Sequence, residues 1–178
     1  MNDQIEEIIN KTNASIEKQD LRILIPLLEK IHPTRILEIG SWKGYSAKLW
    51  DEVFSPIDQL ITIEKSLYEH DYNSNNLMYI RGDSHSLEII EMVGKNCRSD
   101  KVDFLFIDGD HSFQGVKEDW IAYSPLVRKG GVVVFHDVAC HVDETEEVDI
   151  FWKLLKKGNN YVEIKSTPNS TGIGVLFL

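Results

Sequence analysis

Cysteine is scarce in this chain: there are two in 178 residues, Cys97 and Cys140, far apart and with no C-x-x-C pair. A disulfide framework and a cysteine-built zinc site are therefore excluded as organising devices, and both residues read as plain thiols. Long apolar runs are missing too, since no stretch approaches the roughly 20 residues a membrane helix needs. The first residues, Met1-Asn2-Asp3-Gln4-Ile5-Glu6-Glu7, are acidic where a secretory leader is basic and then apolar, so a cytoplasmic location and no membrane partner are expected. Positive charge is in deficit: 19 Lys and Arg against 29 Asp and Glu give a formal net charge of -10. The basic residues are also scattered, so a phosphate backbone would be repelled and nucleic acid is not an expected partner. Without repeats, low-complexity tracts or an interdomain linker, residues 1–178 read as one domain, with N-terminal helices over 1–33 and the core over 34–178.

What is present centres on Thr34 to Trp50. Ile36, Leu37 and Ile39 make a short buried strand, Gly40 and Gly44 a turn, and Tyr45, Leu49 and Val53 recur at helical spacing. Strand, glycine turn and helix in that order make a nucleotide site. The dinucleotide fingerprint G-x-G-x-x-G is absent, because Ser41 and Trp42 follow Gly40. Glu38 lies two residues before the turn, where a carboxylate would repel a phosphate and welcome a cation. S-adenosylmethionine (SAM) carries an ammonium and a sulfonium beside an adenosine and has no phosphate, so it suits both features. The plainer alternative makes Glu38 a solvated strand-end charge.

Acidic strand ends recur. Gln59 to Glu64 is a second buried strand, and Glu64 lies twenty positions after Gly44, the distance at which an acidic residue accepts from a ribose diol. Leu77 to Asp83 is a third, with Ser84 beside Asp83, which is placed either to accept from an adenine amino group or to cap the helix starting at Ser86. Lys101 to Asp108, and Val132 to Asp137 opened by Gly130-Gly131, are apolar until their last residues, as parallel strands buried on both faces are. Helices are expected over 2–18, from Leu21 with Asp20 as cap and Pro26 as a disturbance, over 113–127, and over 148–155 behind an acidic first turn at 143–147. The first of them is either packing or a lid or dimer arm. Tyr161 to Lys165 and Gly172 to Phe177, joined by a short turn, must form an antiparallel hairpin.

Strands alternating with helices and closed by such a hairpin resemble the α/β, Rossmann-like, doubly wound seven-stranded fold of class I SAM-dependent methyltransferases. Leu37-Glu38-Ile39-Gly40 with Gly44-Tyr45-Ser46 resembles its first motif, and Thr62-Ile63-Glu64 its second. The run Asp108-Gly109-Asp110-His111-Ser112-Phe113, with His136-Asp137 downstream, is similar to a small O-methyltransferase group that includes macrocin-type enzymes and cephalosporin hydroxylase-like proteins. The resemblance covers 34–137, and 161–178 more loosely. It implies methyl transfer from SAM to a hydroxyl of a small-molecule acceptor, in a chain for which a homo-oligomer is left open. The cofactor residues so assembled are Glu38, Gly40, Ser41, Gly44, Tyr45, Ser46, Glu64, Lys65, Asp83, Ser84 and Asp108.

In such families the aspartate ending strand four and two residues ending strand five hold a divalent metal, which by position are Asp108, His136 and Asp137. His136 stands where an oxygen ligand is more usual, so Mg, Mn and Fe are all open. Adjacent strand residues point to opposite faces, so His136 and Asp137 share an ion only if the chain leaves extended geometry there. His111, near the position of the catalytic lysine in catechol-type methyltransferases, is the expected general base, with Asp108 beside it. The plain alternative has His111 capping the helix behind it. For the whole chain the alternatives are a methyltransferase fold kept as a SAM-binding or interaction subunit, a nicotinamide dehydrogenase, and an oxygenase using Asp108, His111 and His136.

Overall fold

A computed structural model describes residues 3–97, 100–139 and 147–178. Its strands are β1 (Arg35–Ile39), β2 (Gln59–Glu64), β3 (Leu77–Arg81), β4 (Val102–Ile107), β5 (Val127–His136), β6 (Asn160–Ile164) and β7 (Ile173–Phe177), in the spatial order β3-β2-β1-β4-β5-β7-β6. The first five run parallel, and β7 is antiparallel to both β5 and β6. This is the α/β, doubly wound, seven-stranded class with a closing hairpin that the sequence implies.

Period-two alternation sends successive strand residues to two different cores. Ile36, Leu60, Phe104 and Val132 pack with α1 (Asp3–Lys11), α2 (Lys18–Glu29) and α3 (Tyr45–Phe54). Leu37, Ile61, Leu105 and Val133 pack on the other face with α4 (Leu87–Asn96), α5 (Phe113–Tyr123) and α6 (Val148–Leu155). Because β1 lies between β2 and β4, the chain winds outward in both directions from it, and a crevice opens beyond the ends of β1 and β4. Among the described residues no helix is long and apolar enough to cross a membrane.

Several boundaries differ from the sequence reading. The first helix stops at Lys11, because the Thr12 side chain turns back to accept from Ala14 N (3.1 Å); Ile16 is buried from a connector and not from a helix. Glu17, not Asp20, caps α2, which runs through Pro26. Ser86, not Asp83, caps α4, accepting from Ile89 N. The fifth helix ends at Tyr123 in a short turn through Pro125, and β5 already begins at Val127 and passes through Gly130-Gly131. A side chain at Gly131 would stand 2.7 Å from the Asp103 carbonyl, so the glycine keeps β4 and β5 together and does not open the strand. The acidic run 143–146 and Cys140 lie outside the described residues.

Candidate active site

A cavity of about 430 Å³ occupies the crevice, a size usual for a small-ligand site. Its walls are the turn after β1 (Gly40, Ser41, Trp42, Tyr45, Ser46), the end of β2 (Glu64, Lys65), the loop after β3 (Asp83, Ser84, His85) and the turn after β4 (Asp108, Gly109, Asp110), with Ala14 to Ile16 of the α1–α2 connector along one edge. Of the eleven residues the sequence marks for a cofactor, all but Glu38 and Gly44 are on this wall. Glu64, Asp83, Asp108 and Asp110 face one lysine, Lys65, which is tied to Asp83 at 2.7 Å. Such a wall attracts a cation and repels a pyrophosphate.

The turn after β1 is held from several sides. Gly40 has φ +82°, and a Cβ there would collide with the Asp108 carbonyl and stand 2.8 Å from Gly109 Cα. Glu64 braces the next two residues by accepting from Ser41 N (3.0 Å) and Trp42 N, and it also accepts from Ser66 N (2.6 Å). Burial alone would raise the Glu64 pKa, but these bonds hold it below the usual carboxylate value. They also keep Trp42 at φ +47°, a conformation that costs a bulky residue about 1 kcal/mol or more. Glu64 is thus a main-chain brace as well as a wall residue, with one of its roughly four lone-pair sites, on Oε1, left for a further donor.

Gly44 is required by a neighbour and not by a ligand: the ring of His70 fills the space a Cβ would take. His70 accepts from or donates to Ser41 Oγ through Nε2 (3.0 Å), contacts the Tyr72 carbonyl through Nδ1 (2.7 Å) and packs on Tyr79 with ring centroids 4.4 Å apart. Nothing in the irregular connection between β2 and β3 marked His70 as part of the site. The structure alone brings it there.

Glu38 requires a correction of a different kind. Alternation along β1 puts it on the same face as Ile36, so it points into the α3 core, where it accepts from Trp50 Nε1 (3.2 Å) and Thr62 Oγ1 (2.8 Å). It neither lines the cavity nor meets solvent, and burial pushes its pKa up from 4.5 to about 7. Across that window the folded chain binds the proton more tightly than the unfolded chain, so stability falls as pH rises. Glu38→Gln should remove the fall, narrowing the difference between urea stabilities at pH 5 and pH 8 by about 1–3 kcal/mol. The same pH dependence in both proteins would refute a buried, protonated Glu38.

The second cluster stands beside the cavity and shares Asp108 with it. His111 Nε2 lies 3.4 Å from both Asp108 Oδ1 and Asp137 Oδ2, and His136 Nδ1 lies 3.2 Å from the same two oxygens. The condition for His136 and Asp137 to cooperate is met, because Asp137 has φ +61° and the chain leaves extended geometry directly after β5. Burial would raise the Asp108 pKa, but His136 and His111 hold it low. Burial would lower the His136 pKa, yet Asp108 and Asp137 raise it to about 10. His111 is raised chiefly by its hydrogen bond to Asp108.

His111 caps nothing: Ser112 caps α5 by accepting from Gly115 N (3.0 Å), while the His111 carbonyl accepts from Glu147 N (2.8 Å). Its side chain is left for the cluster. Asp108, His111 and Asp137 offer ligand atoms within 4.8 Å of one another, and His136, the histidine to which the sequence pointed, stands 3.2 Å from the same two carboxylate oxygens, so either histidine could join the aspartates around an ion.

Comparison with known proteins agrees with this architecture. Residues 37–138 match the methyltransferase-domain family, and the chain belongs to it. It is 28% identical over 111 residues to mycinamicin VI 2''-O-methyltransferase of Micromonospora griseorubida, 58% of this chain and 27% of that protein. Its fold superposes on the O-methyltransferase TomG of Streptomyces achromogenes, solved with SAM, with a TM-score of 0.73 and 18% identity over all of this chain and 90% of the other. It also superposes on MycE, solved with Mg, S-adenosylhomocysteine (SAH) and mycinamycin VI, with a TM-score of 0.66 and 18% identity over 99% of this chain and 54% of the other. The chain is also 30% identical over 113 residues to protein R132 of Acanthamoeba polyphaga mimivirus, 57% of this chain and 50% of that protein, so the matched stretches span only half or less of these two curated relatives.

Proposed function

We propose that this chain transfers the methyl group of SAM to a hydroxyl oxygen of a small-molecule acceptor. The observation that carries the reading is that an acidic, cation-attracting cavity and a histidine–aspartate cluster meet at one residue, Asp108. The likeness to O-methyltransferases solved with SAM or SAH supports it. In this reading Glu64 takes a ribose hydroxyl and Asp83 the adenine amino group, supported by their position on the cavity wall, and the bare backbone at Gly40 lets the ligand approach closely.

His111, whose Nε2 faces the two aspartates, takes the acceptor's proton on Nδ1 as the oxygen–carbon bond forms and the carbon–sulfur bond breaks, leaving a methyl ether, SAH and an imidazolium. Asp108 and Asp137, each 3.4 Å away, orient the ring and stabilise its charge. His136 Nδ1 holds the same two carboxylate oxygens at 3.2 Å. The donor set also fits a divalent cation, which Asp108 and Asp137 with His136 or His111 would hold. When bound, such an ion lowers the pKa of an acceptor hydroxyl and orients it.

Calorimetry with SAM and SAH tests the reading, since a chain that binds neither is not a SAM enzyme. Glu64→Gln removes the charge and leaves one oxygen to accept from Ser41 N and Trp42 N, giving up the bond from Ser66 N, and it should weaken SAH binding by about 1–3 kcal/mol. An unchanged dissociation constant in the folded variant would take Glu64 out of the ligand site.

A further inference from the structure

We infer that Asp20, on α2 and outside the family-matching residues, is a positioning residue that holds the Asp137 turn through Ser170 and Thr171. The inference rests on the function proposed above. Asp20 is a buried carboxylate in the first turn of α2, and such a group is retained only where its oxygens are used. Its Oδ1 accepts from Ser166 N (2.7 Å) and its Oδ2 from the Ser170 hydroxyl. Both partners belong to the connection between β6 and β7. Ser170 Oγ in turn accepts from Gly172 N (2.9 Å), so its single proton goes to Asp20 and its lone pair to the turn.

The next two residues grip the active-site turn. The Thr171 carbonyl accepts from Ala139 N (2.8 Å) and the Gly172 carbonyl from Val138 N (3.3 Å), the two residues directly after Asp137. Thr171 Oγ1 stands 3.4 Å from His136 Nε2, and its hydroxyl also bonds the Asp137 carboxylate. There is no slack between the two loops, since a Cβ on Gly172 would lie 2.7 Å from Ala139 Cβ. Asp137 needs this grip: a left-handed aspartate relaxes unless its surroundings over-determine it, and its φ of +61° is what turns the carboxylate toward His111. Asp20 holds the 166–172 connection, and that connection holds Asp137.

The test compares Asp20→Asn and Ser170→Ala with Ile25→Val, a core truncation in the same helix at a residue whose side chain makes none of these hydrogen bonds. Residue-resolved amide exchange, Mn²⁺ binding by electron paramagnetic resonance and SAH binding by calorimetry are read on all three. Both network variants should speed exchange at Val138 and Ala139 by about tenfold or more without change at Ile61 and Ile63. Mn²⁺ binding should weaken by about tenfold, the low end for groups that support ligands from outside, while the SAH dissociation constant stays within about twofold. Exchange that rises evenly over the sheet, as in Ile25→Val, would make Asp20 a stabilising residue only and overturn the inference. Wild-type protein that binds neither SAH nor Mn²⁺ would sink the proposed function instead, and the exchange pattern would still decide the role of Asp20.

Discussion

His111→Ala should lower turnover by roughly 10²–10⁴-fold, with the SAH dissociation constant changed by less than about twofold, because proton removal matters in the transition state and not in cofactor binding. The pH profile carries the sign. Asp108 raises the His111 pKa, so the neutral base is present only above a limb displaced upward from 6.5, and the wild-type rate should climb through that limb. In the variant the limb should vanish, and the deficit should shrink at high pH as hydroxide replaces the lost base. Since Ser112 is the cap of α5, Ser112→Ala is the variant that should lose about 0.5–2 kcal/mol of stability with its pH profile intact. A His111→Ala enzyme whose turnover per folded molecule matches wild type at every pH would end the general-base assignment. Loss of Mn²⁺ affinity on the same substitution, without loss of the limb, would make His111 a ligand, a role its place beside Asp108 and Asp137 also allows.

Gly40→Ala should abolish SAH binding and lower stability by more than about 3 kcal/mol. Two costs combine there: a positive φ that alanine adopts poorly, and a Cβ driven into the backbone of Asp108 and Gly109, which cannot swing away as a flexible side chain would. Relief would require the ends of β1 and β4 to separate, and that crevice is the cavity. Gly94→Ala is the matched control, since it sits in α4 with open space around it and should gain about 0.5–1 kcal/mol. Urea midpoints and calorimetry on both variants check the pair. A Gly40→Ala protein that binds SAH normally would show that the two strand ends are not locked together at this point.

Residue pattern alone carried much of this protein. Buried strands reveal themselves as apolar runs, and β2 and α6 came out with the expected limits because a hydrophobic run and its polar flanks are local properties. The acidic strand ends and the glycine turn were legible for the same reason, and the parallel sheet then carries Glu64, Asp83 and Asp108 to one crevice. The period of two along β1 also puts Glu38 on the face of Ile36, in the α3 core. What only the tertiary structure decided depends on groups distant in sequence. His70 fills the space beside Gly44, Ser112 takes the cap and frees His111, and a left-handed Asp137 faces Asp108 while a connection fixed by Asp20 holds it. A sequence states which side chains can donate, accept or ionise, but which partner each one meets is set by packing, because burial makes an unmet polar group costly and the fold supplies the partner from whatever segment lies near.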